Sequence, residues 1–121
     1  MTKKILTVDD SRTMRDMLML ALSDAGYEVV QAEDGIDGLE ALAREGADVV
    51  ITDINMPRLD GFGFIEGVRA NPAHRGLPVL VLTTESSAEK KARAKEAGAT
   101  GWIVKPFDPA KLVDVVRRVS G

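Results

Sequence analysis

The chain has 121 residues, 45% apolar and 29% charged, with a formal net charge of −3, which suits one domain spanning 1–121 and leaves no length for a fused output domain. It has no cysteine, which excludes disulfides, thiolate zinc and cysteine nucleophiles; no window approaches the roughly 18 apolar residues of a membrane helix. Basic residues at the start give way at once to carboxylates, unlike a signal peptide, and the net acidity disfavours nucleic acid and anionic membrane, so a cytoplasmic protein binding neither is expected.

Short β-branched runs alternate with helical patterns along the whole chain. Lys4 to Val8 reads as a strand, and Ser11 then caps a helix with a 3.6-residue apolar stripe of Met14, Met17, Leu18, Ala21, Leu22 and Ala25, stopped by Gly26. Glu28 to Ala32 reads as an edge strand, and Asp34-Gly35 turns into a second helix burying Ile36, Leu39, Leu42 and Ala43 and ending at Gly46. Val49 to Ile51 is apolar throughout, as a strand buried on both faces must be, and runs into Thr52-Asp53. After the Met56-Pro57 loop, Asp60 caps a third helix burying Phe64, Ile65 and Val68, which Asn71-Pro72 breaks. Val79 to Leu82 is again apolar and delivers Thr83 and Thr84; Ser86 or Ser87 caps a charged helix ending before Gly98. Trp102 to Val104 is a brief last strand, and Asp108-Pro109 opens a final helix burying Leu112, Val115, Val116 and Val119. Five such repeats predict an α/β domain with a five-stranded parallel, doubly wound sheet and five helices; a closed eight-fold barrel would need about twice the length.

Ligands of such sheets sit at the carboxyl ends of the strands. The residues just past those ends are Asp9 and Asp10, Asp53, Thr83 and Thr84, and Lys105. Two like charges about 4 Å apart repel by roughly 4 kcal/mol at an effective dielectric near 20, so three carboxylates balanced by one ammonium call for a further cation. Every donor on offer is a hard oxygen, which favours Mg²⁺ over zinc, and Mg²⁺ commonly binds one or two carboxylates together with phosphate oxygens. Lysine can pair with a phosphoryl group, a threonine hydroxyl can donate to it, and an aspartate can attack it to form an acyl phosphate. Physics alone leaves open which aspartate attacks. The adjacent Asp9-Asp10 pair suits the metal, which leaves Asp53 as the better nucleophile.

Val8-Asp9-Asp10-Ser11, Asp53-Ile54-Asn55-Met56-Pro57 with Asp60-Gly61, Val81-Leu82-Thr83 and Val104-Lys105-Pro106-Phe107 occur in this order at successive strand ends. Together they resemble the receiver domain of two-component response regulators over the full chain, and within that family the single-domain chemotaxis regulators of the CheY type. The resemblance implies a flavodoxin-like sheet order of 2-1-3-4-5, an order the spacing does not supply. It also implies that Asp53 accepts a phosphoryl group from a histidine kinase, with Asp9, Asp10, Asp53 and the Asn55 carbonyl holding Mg²⁺ and Lys105 pairing with the phosphoryl group. Thr83 would turn to bond a phosphoryl oxygen and vacate space for Trp102, making these two the switch. The chain would then be a monomer that changes affinity for a downstream target such as the flagellar motor switch, or a phosphate sink or phosphorelay intermediate for a shared kinase. Its chemistry would be self-catalysed phosphoryl transfer and autodephosphorylation, without multiple turnover on an external substrate.

Two other functions share parts of this pattern. An aspartyl-phosphate phosphatase would use the same cleft, but the acids read Asp-Asp rather than Asp-x-Asp and no cap region is present. An FMN carrier shares the fold class, but two aspartates in the first loop repel a phosphate. Several features have plainer readings. Lys90, Lys91, Arg93 and Lys95 read as a solvated helix face, with Glu89 four residues before Arg93. His74 lies in a loop away from the acids, so a donor histidine must come from another protein, and Met14, Met17 and Met19 read as core or near-core by spacing.

Overall fold

Five strands and five helices alternate along residues 2–120, the part of the chain described by the computed structural model. The order is β1 (Lys4–Val8), α1 (Arg12–Asp24), β2 (Glu28–Ala32), α2 (Gly35–Glu45), β3 (Val49–Thr52), α3 (Gly61–Ala70), β4 (Val79–Thr83), α4 (Ala88–Ala97), β5 (Gly101–Val104) and α5 (Pro109–Val119). A single 3₁₀ turn, Pro72–His74, follows α3 and contains the lone histidine. All strand pairs are parallel, in the order β2-β1-β3-β4-β5, the doubly wound arrangement with its reversal between β1 and β3.

Alternation along the central strands divides the core in two. On one face Leu6, Val8, Val50, Val79 and Val81 meet Ala41 and Leu42 of α2, Phe64, Ile65 and Val68 of α3, and Ala94 of α4. On the other, Ile5, Val49, Ile51, Leu80 and Leu82 meet Leu18 and Leu22 of α1 and Leu112 and Val116 of α5. Both β3 and β4 are buried along their whole length, which is why they read as unbroken apolar runs rather than as alternating ones.

The helix starts follow the expected capping chemistry. The side chains of Ser11, Asp34, Asp60, Ser87 and Asp108 each accept a backbone N–H from the first turn of α1 to α5 in that order. Gly98, with φ +114°, ends α4 in the left-handed conformation that glycine adopts at least cost. Two helical stripes are narrower than the periodicity predicts. Met17 is 47% exposed, since α1 lies on the sheet through Leu18 and Leu22 and its flank turns outward. On α2 it is Ala41, not Ala43, that is buried, beside a Gly38 too close to Phe64 for any side chain. Arg93 does not pair with Glu89 as its spacing suggested; its guanidinium stacks 4.1 Å from the centre of the Phe62 ring. No helix among the described residues is long and apolar enough to cross a membrane.

Candidate phosphoryl-transfer and metal site

Asp9 and Asp53 stand at the ends of neighbouring strands, because β1 pairs with β3 in a register that sets Val8 opposite Thr52. The Asp53 N–H donates to the Val8 carbonyl at 2.9 Å, tying the two strand ends together. Lys105 leaves β5 at the far side of β4, where its N–H donates to the Thr83 carbonyl at 2.8 Å. From there its side chain crosses β4 and its ammonium donates to Asp9 Oδ2 and Asp53 Oδ2, both at 2.9 Å. Residues 52 and 96 positions apart in sequence thus share one proton-rich contact.

The remaining oxygens of the two acids are held by backbone. Asp9 Oδ1 accepts the Ser11 N–H at 2.9 Å, and Asp53 Oδ1 accepts the Ile54 N–H at 2.6 Å. Arg15 donates to the Asp9 carbonyl at 2.7 Å, so the main chain entering α1 is fixed as well. Burial pushes the Asp9 carboxyl above its ordinary value, over the opposing hydrogen bonds from Lys105 and Ser11. Burial also works against the Lys105 ammonium, but hydrogen bonds and charge from Asp9 and Asp53 together outweigh it and hold its pKa above the ordinary value. One ammonium therefore serves two buried acids and leaves the cluster short of positive charge.

Asp10 is exposed, yet a carboxylate oxygen from each of Asp9, Asp10 and Asp53 lies within 4.8 Å of the others. Three hard oxygen donors, charge-deficient and open on the Asp10 side, suit an oxygen-seeking divalent cation of the Mg²⁺ type and do not suit zinc. Asn55 is exposed in the loop after β3, two residues beyond Asp53. Its amide donates to Glu85 Oε1 at 3.3 Å.

Thr83, fully buried at the end of β4, accepts the Glu85 N–H at 3.3 Å on its hydroxyl. Trp102, half-buried on β5 and packed against the α2–α4 side of the core, donates its indole N–H to the Glu85 carbonyl at 3.2 Å. Glu85 is the junction of this rim. Its carboxylate also receives the Lys90 ammonium at 2.9 Å, and the hydrogen bonds of Lys90 first and Asn55 second hold that carboxyl below its ordinary range. Strand ends in the sequence suggested Asp9, Asp10, Asp53, Thr83, Thr84 and Lys105 at this edge, and the fold places them at or just past the ends of β1, β3, β4 and β5, with Thr84 exposed; Asn55 and Trp102, added by the resemblance, lie in the loop after β3 and within β5 one residue after its start. Glu85 was missed in this role, since a glutamate in a loop carries no signal of the four contacts it makes, with Thr83, Trp102, Lys90 and Asn55.

Three comparisons with known proteins bear on this geometry. The family model described as the response regulator receiver domain matches residues 5–117. The chain is 40% identical over 120 residues to chemotaxis protein CheY1 of Helicobacter pylori, covering 98% of this chain and 97% of that protein. It is 39% identical over 117 residues to chemotaxis protein CheY-3 of Vibrio cholerae, covering 96% and 90%. Among solved structures, Vibrio cholerae CheY4 superposes with a TM-score of 0.94 at 46% identity, covering 98% of this chain and 99% of that one. The receiver domain of a sensor histidine kinase from Pseudomonas aeruginosa, which has a magnesium ion coordinated in its active-site cleft, superposes at 0.92 with 27% identity, covering 100% and 99%. The site at the carboxyl edge and these matches lead to one conclusion: the chain belongs to the response regulator receiver domain family.

Proposed function

We propose that this protein is a cytoplasmic signalling switch that accepts a phosphoryl group on Asp53 from the phosphohistidine of a kinase. The observation that supports it best is the Lys105 ammonium bridging Asp9 and Asp53 beside an open Asp10. In the reaction an Asp53 carboxylate oxygen forms a P–O bond while the P–N bond of the donor breaks. The bonding pair stays on the imidazole nitrogen, which takes up a proton. The Ile54 N–H, already on Asp53 Oδ1, orients the carboxylate for the attack. Lys105 exchanges a carboxylate partner for a phosphoryl oxygen.

The residues that would hold Mg²⁺ are Asp9, Asp10, Asp53 and the carbonyl of Asn55. When bound, the ion neutralises charge on the acids and on the phosphoryl oxygens. The hydroxyl of Thr83 would turn from the Glu85 N–H to a phosphoryl oxygen, and Trp102, held through its indole N–H to the same Glu85, would follow into the vacated space. The names of the chemotaxis relatives support the flagellar motor switch as the target that reads this change.

Beryllofluoride with Mg²⁺, or phosphoramidate as donor, is expected to change Trp102 emission, and Asp53→Asn to abolish the change. A wild-type protein whose emission and mass both stay constant under phosphoramidate would refute the reading. Capture of motor switch protein only in the presence of beryllofluoride supports the motor target; no capture in either state points to a phosphate sink, and equal capture in both states counts against a phosphorylation-dependent switch.

A further inference from the structure

Residues 54–60, between β3 and α3, are tied at two places. At the neck, the Gly61 N–H donates to the Ile54 carbonyl at 2.8 Å, and the next amide back, that of Ile54, is the one on Asp53 Oδ1. At the tip, Arg58 lays both arms of its guanidinium on Asp34: Nε donates to Oδ2 at 2.7 Å and Nη2 to Oδ1 at 3.0 Å. Beside them the Gly35 N–H donates to the Leu59 carbonyl at 3.0 Å, and the approach is so close that a side chain at Gly35 would meet Leu59.

Arg58 has φ +64°, and among the described residues it is the one non-glycine residue in the left-handed region. Glycine or asparagine adopts that backbone more readily, so local conformation gives no reason for arginine here. Its side chain does. Asp34 is a rigid anchor: its side chain is 8% exposed, and it caps α2 through the Asp37 N–H at 2.9 Å. Arg58 is thus bound to an element outside the loop, five residues after Asp53 and three after Asn55.

On the strength of the function proposed above, we infer that Arg58 is a positioning residue for the phosphorylation site. Its two-armed contact with Asp34 holds loop 54–60 so that the Asn55 carbonyl and the Asp53 carboxylate stay aimed at one divalent cation. A two-point guanidinium–carboxylate contact fixes orientation as well as distance, which a lysine cannot reproduce in full.

Calorimetric titration with Mg²⁺ alone, on the folded wild type, Arg58→Asn, Arg58→Lys, Asp34→Asn and the Arg58→Asn/Asp34→Asn double variant, tests this. Asparagine tolerates the left-handed backbone and caps a helix as well as aspartate does, so both asparagine variants remove the ionic contact while keeping conformation and cap. Arg58→Asn and Asp34→Asn are each expected to weaken Mg²⁺ binding about 3- to 10-fold, below the 10- to 100-fold cost of removing a group bonded directly to a metal ligand. The double variant should bind no more weakly than the worse single one, since both changes break the same contact. Arg58→Lys should recover part of the affinity, and saturating Mg²⁺ should return phosphoramidate-driven labelling of Asp53 to the wild-type rate. Wild-type affinity in Arg58→Asn and Asp34→Asn, or a labelling defect that saturating Mg²⁺ leaves in place, overturns the inference. A wild-type protein that binds no Mg²⁺ overturns it together with the function it rests on.

Discussion

Asp9 and Asp34 are both buried carboxyls that follow strands at the same edge of the sheet, yet their environments act in opposite directions. Burial raises Asp9, while the hydrogen bonds from Arg58 lower Asp34 and outweigh its burial. For Asp9 in metal-free protein, the folded state binds more protons than the unfolded one between the ordinary value of 3.8 and the raised one, so stability falls as pH rises through that window. For Asp34 the unfolded state binds more protons below 3.8, so its contribution is present above that value and is lost as pH falls through the lowered one. Urea unfolding in chelator across this range should show the stability difference between wild type and Asp34→Asn shrinking at the acid end, and Asp9→Asn losing the decline on the side above 3.8. A difference between wild type and Asp34→Asn that stays constant down to the lowest pH would show that Arg58 does not govern this carboxyl. These two residues also mark what was legible one residue at a time. Asp9 announced itself by following a β-branched run. The bond between Asp34 and Arg58 did not, because it joins positions 24 apart through a backbone conformation that arginine rarely takes.

Where α3 begins decides how closely it approaches the site. A Cβ at Gly61 would lie 2.2 Å from the Asp53 carbonyl oxygen and 2.7 Å from the Ile54 Cα, both backbone atoms that cannot turn aside. Gly61→Ala is therefore expected to cost about 2–3 kcal/mol through forced displacement of the helix start. Gly76→Ala, where no atom lies within 4 Å of the added carbon, should stay within about 0.5 kcal/mol. Equal denaturation midpoints for the two variants would remove the argument for a tight joint between α3 and the loop. At this scale element starts were the most readable feature, since each cap is one short polar side chain in front of an apolar period. Stripe width was the least readable. Periodicity gives the direction of the buried face, but the exposure of Met17 and Ala43 depends on how far neighbouring elements extend over the helix, which no local window contains.

Sheet order is what turns separate strand ends into a site. Because β1 lies between β2 and β3, Asp9 and Asp53 become neighbours, and Lys105 must come from β5 across β4 to reach them. Local patterns gave the strands and their ends but not this order, which entered through the resemblance of four motifs. Under the function proposed above, the same arrangement would make Lys105 a partner of the two acids and a competitor of any cation bound to them. It stabilises the metal-free acids, so Lys105→Ala should destabilise the chelator-treated protein by about 3 kcal/mol, the cost of leaving buried charge unpaired. With the ammonium gone, the uncompensated carboxylates should draw Mg²⁺ more strongly. A ligand at 100 times its dissociation constant adds about 2.7 kcal/mol of stability, so urea unfolding with and without Mg²⁺ reads this directly. The Mg²⁺ increment should grow in Lys105→Ala, while the further increment from beryllofluoride, which needs the ammonium as its counter-charge, should shrink. A smaller Mg²⁺ increment would mean that Lys105 arranges the carboxylates for the cation instead of competing with it.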